Sequence, residues 1–329
     1  MEVVTKSKDM IEKMKTDKQF ANDRKKAVTT TKKILFALFR WVILIGCCYV
    51  ILGPVFGIVS SSFFSESDNS NPVVYMIPQD PTTGNYSLAA LRLDYWVTLR
   101  NTLIYDISLM LIQILIASMV GYGFARFNFP LKKLLFACVI ITIVIPTHTI
   151  MLPLYMTFQN FNLFGITEAI RGSSNLLSTP IPMYIMTFLG CGLRSGIYIY
   201  LFNQFFRGLP TEIEEAAFID GAGTWYTYFR IMLINAMPSV LTVSIFSLVW
   251  QYNDMFYSKL FLISNSIVIS KKITTLQDTI ANLDGISDPS LVRLYLFAGV
   301  VLVMLPVVLV YVVLQKYFME GVERSGIVG

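Results

Sequence analysis

Charged residues are scarce: they make up 14% of the 329 residues, where a soluble domain carries about 25%. Histidine is scarcer still. His148 stands alone, and one imidazole forms neither a proton relay nor a metal cluster. The four cysteines, Cys47, Cys48, Cys138 and Cys191, show no CxxC or Cys/His metal spacing and fall inside or beside apolar blocks. They read as reduced packing residues rather than a disulfide framework or a zinc site. No HExxH, GxSxG or paired His/Cys cluster supplies a catalytic constellation. No GxxxxGKS or GxxxxGKT loop is present to cradle a nucleotide's phosphates.

Apolar residues, by contrast, make up 55% of the chain and are gathered into long blocks. Blocks of about 20 apolar residues match the hydrocarbon thickness of a bilayer. Six candidate spans lie near 35–60, 102–125, 134–157, 182–206, 237–258 and 294–315. In lipid only helices or closed barrels satisfy the backbone, and these continuous runs lack the alternation of barrel strands. The expected fold class is therefore an all-α integral membrane protein with six transmembrane helices. The first apolar run is longer than a secretory core and ends in no clear small-x-small site, so it reads as an uncleaved span.

The expected organisation is a basic N-terminal arm at 1–33, a transmembrane domain at 34–315 and a tail at 316–329. Most of the 26 Lys and Arg lie in the arm, in 126–133, in 203–236 and in the tail. By the positive-inside rule, both termini are then cytoplasmic, and the loops 61–101 and 259–293 are extracytoplasmic. The net charge of +5 reflects this topological bias rather than nucleic acid binding. The arm reads either as a solvated topology signal or as a helix on anionic lipid. The 61–101 loop, rich in Ser, Asn, Pro and Asp, is expected to have no core of its own.

The loop at 207–235, RGLPTEIEEAAFIDGAGTWYTYFRIMLIN, carries the most information. Pro210 ends the preceding helix. Thr211 and Glu214 have capping-box spacing, which predicts a short helix. Gly221 and Gly223 permit a sharp turn, and Thr224 can cap the next helix. Ala216 and Ala217 would let another backbone approach closely, while Glu214, Glu215 and Asp220 would meet basic groups on it. From these residues alone, an ordinary amphipathic loop is an equal alternative.

This stretch resembles the EAA loop of bacterial binding-protein-dependent ABC importers, with the pattern EAA-x3-G-x9-I-x-L-P. Glu215, Ala216, Ala217, Gly221, Ile231 and Leu233 fall at matching places, and Ile234 stands where the pattern has proline. That departure bears on the bend before span five. The segment from Asn101 to Pro130, IPTHTIMLPLYMTF from Ile145, WQYND at 250–254 and QKYFMEGVERSGIVG from Gln315 are similar to the carbohydrate-uptake subfamily. The tail in particular resembles that of the shorter permease of maltose-type importers. The long arm and the long first loop depart from the compact family pattern.

The resemblance implies a type I ABC importer permease of MetI-like fold that performs no chemistry itself. It implies a second permease as heterodimer partner, two ATP-binding subunits that hold ATP and Mg, and an extracytoplasmic solute-binding protein. The coupling set is then Glu214, Glu215, Ala216, Ala217, Asp220, Gly221 and Ala222. Gly321, Ser325, Gly326 and Gly329 suit an extended tail in the ATPase interface. Lys271, Lys272 and the Asp284-Gly285 turn are candidate receptor contacts in the 259–293 loop. The implied cargo is a sugar or oligosaccharide, with a non-sugar solute as the alternative.

Polar residues within spans face a bundle interior or a cavity. Gln113, His148, Arg194, Asn253 and Asp254 are candidates to line a pathway, or else to bond helix to helix, and Asp106 joins them in span two. Pro146 and Pro153 should bend span three. An ion-coupled secondary transporter would show inverted repeats, and no convincing repeat is seen.

Overall fold

The computed structural model describes residues 2–162, 164–263 and 267–326, with side chains left aside at 1–29, 31, 166, 171, 314 and 316–326. Every regular element among them is helical. In chain order these are α1 (Glu2–Ser61), α2 (Glu66–Ser70), α3 (Gly84–Leu93), α4 (Tyr95–Arg126), α5 (Lys132–Val144), α6 (Met151–Gln159), α7 (Ile166–Arg171), α8 (Ile181–Phe188) and α9 (Ser195–Gly208). After them come α10 (Glu212–Ile219), α11 (Thr224–Asn235), α12 (Met237–Tyr252), α13 (Phe256–Phe261), α14 (Ile269–Lys272), α15 (Leu276–Asp284) and α16 (Pro289–Gly326). The chain forms two units, residues 1–60 and 61–329. In the first, the basic arm and the first apolar run make one uninterrupted helix, which passes through Pro54.

Among the described residues three segments are long and apolar enough to cross a bilayer as single helices: Lys32–Ser61, Tyr95–Arg126 and Pro289–Val313. Of the other three expected spans, 134–157 and 182–206 are each divided between two helices, and 237–258 is preceded by a bend. α5 and the segment Thr147–Gln159 meet at 101°, and α11 meets α12 at 75°. The first break falls at Pro146, whose ring disfavours helical geometry at Ile145 before it. Pro153 sits in the first turn of α6, where a helix tolerates proline. The fourth run divides between α8 and α9, at a connection where Gly190 and Arg194 both take positive φ.

α4 is the spine of the second unit. Its 32 residues rise about 48 Å, and they pass through three apolar cores in turn. Tyr95 lies in a core with Ala89, Leu93, Ile269, Leu276, Ile280, Val292 and Ala298. Tyr105 and Leu109 join the core of Phe158, Met183, Met186 and Phe261. Ala117 and Tyr122 join that of Tyr198, Phe202, Phe206, Tyr228 and Met232. Beside Tyr105, Leu109 and Tyr122, its inner face buries the polar or small Thr102, Asp106, Gln113, Ala117, Ser118 and Gly121, while Ile104, Ile107, Leu111 and Leu115 point outward. In lipid that inversion is expected, since tails solvate leucine as well as a core does, while small and polar groups favour helix contact. Gly121 permits a close approach to α9. A Cβ there would stand 2.7 Å from the Phe202 Cβ, so α9 lies hard against α4.

The 61–101 segment and the 259–293 segment share the first of these cores, so the earlier loop has apolar support after all, supplied by the later one. Polar ties reinforce it. Asn85 donates to the Ser62 and Phe64 carbonyls at 2.9 Å each, and Arg92 Nε donates to Asp284 at 2.9 Å. Lys272 pairs with Asp94.

Candidate functional site

The chain leaves α9 at Gly208, turns through Pro210 and enters α10. Thr211 makes no side-chain cap there, and helix start is held by backbone bonds from Glu214 and Glu215 to the Thr211 carbonyl at 3.0 and 3.1 Å. The capping box is therefore not formed, because Glu214 is engaged elsewhere. Its carboxylate lies 3.1 Å from Arg126 Nε at the end of α4, with the two side chains 10% and 9% exposed. Arg126 also donates to the Leu209 carbonyl at 2.8 Å.

The eight-residue helix thus has two faces. Glu214 and Ala217 point inward, which corrects their assignment to a partner surface, and Ala222 is half-buried. Glu215, Ala216, Asp220 and Gly221 are exposed. Beside them stand Phe218 at 46%, Ile219 at 86%, Trp225 at 64% and Tyr226 at 60% exposure. The charge and small-residue pattern passed over these apolar groups. Their signal was large side chains in a connection between spans, where solvent favours polar ones.

Gly221 turns the chain at φ +81°, a region open to glycine and costly for other residues. Gly223 is ordinary extended backbone and is itself the residue before α11, so Thr224 is a helical residue and not the cap. From Thr227 to Met232 the helix is π-wound. The bend that follows comes at Ala236, with Pro238 in the first turn of α12. Pro238 thus stands where a helix tolerates proline, and the bend exists although Ile234 replaces the expected proline.

The candidate pathway residues do not form one site. Gln113 is buried as a knot between helices: its amide donates to the Leu193 carbonyl at 2.6 Å and Ser195 Oγ at 3.1 Å, and its carbonyl accepts from Ser247 Oγ at 2.8 Å. It lines no channel within this chain. Asp106 is likewise buried. Asp254 accepts from the backbone N–H of Ser258 at 3.0 Å and of Tyr257 at 3.3 Å, holding the start of α13. Asn253 is exposed and donates to Val249 in its own helix. Arg194 is exposed over the Trp250 ring at 5.2 Å, and exposed His148 meets Phe256 edge-on at 4.8 Å.

The candidate receptor contacts are largely spent inside the fold. Lys271 is buried and donates to the Ile263 carbonyl at 2.8 Å, Lys272 holds Asp94, and Asp284 holds Arg92. The Arg92 guanidinium holds the Asp284 carboxyl below the usual carboxylate range. In the tail, Gly321, Ser325 and Gly326 lie on helical backbone at the end of α16 rather than on an extended strand, and Gly329 lies outside the described residues.

Comparison with known proteins converges on one family. Residues 113–324 match the family described as the inner membrane component of binding-protein-dependent transport systems. A diacetylchitobiose uptake system permease of Streptomyces coelicolor is 27% identical over 297 residues, 88% of each chain. The melibiose/raffinose/stachyose import permease of Bacillus subtilis is 28% identical over 87% of this chain and 94% of its own. Among solved structures, a chain of a bacterial ABC transporter that imports the acidic polysaccharide alginate superposes with a TM-score of 0.67. It covers 86% of this chain and 96% of its own at 20% identity, which establishes shared fold.

Proposed function

From the premise that the chain belongs to the family of binding-protein-dependent transport system inner membrane components, we propose that it is a permease subunit of an ATP-driven importer for a sugar or oligosaccharide. Membership makes it a non-catalytic membrane component of an ABC importer. In this reading it pairs with a second permease, and two ATP-binding subunits hold ATP and Mg on the cytoplasmic side. A solute-binding protein delivers cargo to the other face. The carbohydrate assignment is supported by the names of relatives, which include permeases for diacetylchitobiose, raffinose and arabino-oligosaccharides.

The observation that carries the reading is the two-faced α10. Its inner face is fixed to α4 through Glu214 and Arg126, and its outer face presents Glu215, Ala216, Phe218, Ile219 and Asp220. A helix of this kind can enter a cleft of the ATPase. Phe218 and Ile219 would supply apolar anchors, Ala216 the close contact, and Glu215 and Asp220 pairs for basic groups. Closure of the ATPase dimer would then pull the bundle between inward- and outward-facing states. The Lys and Arg bias supports a cytoplasmic position for both termini.

The test is affinity purification from its native membrane, with mass identification of companions and bound solute. A second permease, an ATPase and an extracytoplasmic receptor are expected. Recovery without any ATPase, or labelling of Glu215→Cys from the outer face of sealed cells, would overturn the reading.

A further inference from the structure

Where the motion enters the bundle can be read from what holds α10. On its C-terminal side the chain is compliant. Gly221 turns at φ +81°, residues 227–232 are π-wound, and α11 meets α12 at a 75° bend. π-helical turns carry weaker local geometry and concentrate where helices adjust. On its N-terminal side the contacts are close and mostly shielded from solvent. Arg126 binds Glu214 by charge and the Leu209 carbonyl by hydrogen bond, so one guanidinium grips both α10 and the link from α9. Directly behind it, Gly121 brings α9 against α4, and Asn203 of α9 donates to the Gly121 carbonyl at 3.3 Å. Tyr122 packs against Phe206 of α9 with ring centres 5.4 Å apart, and Ser118 of α4 also meets the Tyr228 hydroxyl of the π-wound segment at 2.6 Å.

We infer that Arg126 is a positioning residue which, through Glu214, makes α10, α9 and α4 one rigid body, so that force received at α10 enters the second span rather than the fifth. The inference rests on the docking role proposed for α10. A buried ion pair suits this task because its partners are costly to separate inside a low-dielectric site. Apolar packing alone is non-directional and can slide. The five donors of the guanidinium fork allow it to hold a carboxylate and a carbonyl at once.

The test uses the intact complex in lipid nanodiscs on a cysteine-free background, with spin labels at Glu212→Cys on α10 and Leu111→Cys on α4. Distances are compared without nucleotide and with MgATP plus vanadate. In the otherwise native chain the α10–α4 distance should be the same in both states. In Glu214→Gln it should shift with nucleotide by roughly 3 Å or more, the scale of helix movements at interfaces. Because a lone buried Arg126 can compromise folding, Arg126→Met with Glu214→Met provides a second variant. It removes both charges while keeping the site filled, and the same nucleotide-dependent shift is expected. A role in folding alone would leave the distance in this assembled double variant insensitive to nucleotide. The inference is overturned if either assembled variant keeps its distance in both states, or if the native pair moves as much as the variants. Failure of the ATPase to co-purify with the native chain would instead overturn the docking role itself.

Discussion

At the scale of single residues, a position is legible from sequence when its requirement is local. Gly221 is such a case: a turn after a short helix needs positive φ, and the observed +81° meets that need. An L-residue placed there costs about 1–2 kcal/mol, and no neighbouring atom lies within 4 Å of an added Cβ, so strain is the whole effect. Gly221→Val should therefore insert and fold in the membrane yet lower ATPase retention about tenfold. Pull-down of the ATPase checks this, and undiminished retention would count against the turn. Glu214 was legible only as a carboxylate near a helix start. Its actual partner, Arg126, is 88 positions earlier, and no spacing rule links the two. Gln113 was recognised as a polar residue in lipid, but whether it faced a pore or a neighbour depended on Ser195 and Ser247 arriving from two other helices.

At the scale of elements, the apolar runs located the helices, and Pro146 marked the break within span three, but the break within 182–206 had no such sign. A run such as 182–206 is apolar throughout, and hydropathy does not register a left-handed Arg194. The pairing of α3 with α15 was equally hidden, since each is a short amphipathic piece in a loop. The Arg92–Asp284 bridge between them makes a testable pH dependence. Because the folded carboxyl titrates below its free value, the bridge contributes fully above the ordinary Asp range and is lost as pH falls through the depressed value. Amide exchange of α15, corrected for intrinsic rate, should be unchanged between pH 7 and 5 and should rise below about pH 4. Asp284→Asn should show the faster exchange already at pH 7. Equal exchange in both proteins at neutral pH would leave the bridge without a role.

At the scale of the whole molecule, residues 61–329 place the Arg126–Glu214 pair at one end of α4 and the core shared by the two long loops at the other. The end of α16 bears on this as well. Its backbone stays helical to Gly326, beyond the apolar run at 294–315. Removing 321–329 should weaken assembly with the ATPase. Loss of one net hydrogen bond, about 1 kcal/mol, already lowers a docked fraction about fivefold. Receptor-stimulated ATP hydrolysis by the purified complex is the measurement, and an unaltered rate would exclude the tail from that interface.

Sequence alone determined that this chain is helical and lives in lipid, since a scarcity of charge and blocks of bilayer length are properties of composition and order. It also determined where the EAA-like loop lies, because Glu215, Ala216, Ala217 and Gly221 sit at short fixed spacings along one segment. Only the tertiary structure decided which face of α10 is free, which spans are broken and which polar residues are consumed inside. Those outcomes depend on residues tens of positions apart meeting in space. A buried polar group takes whichever partner the packing brings to it.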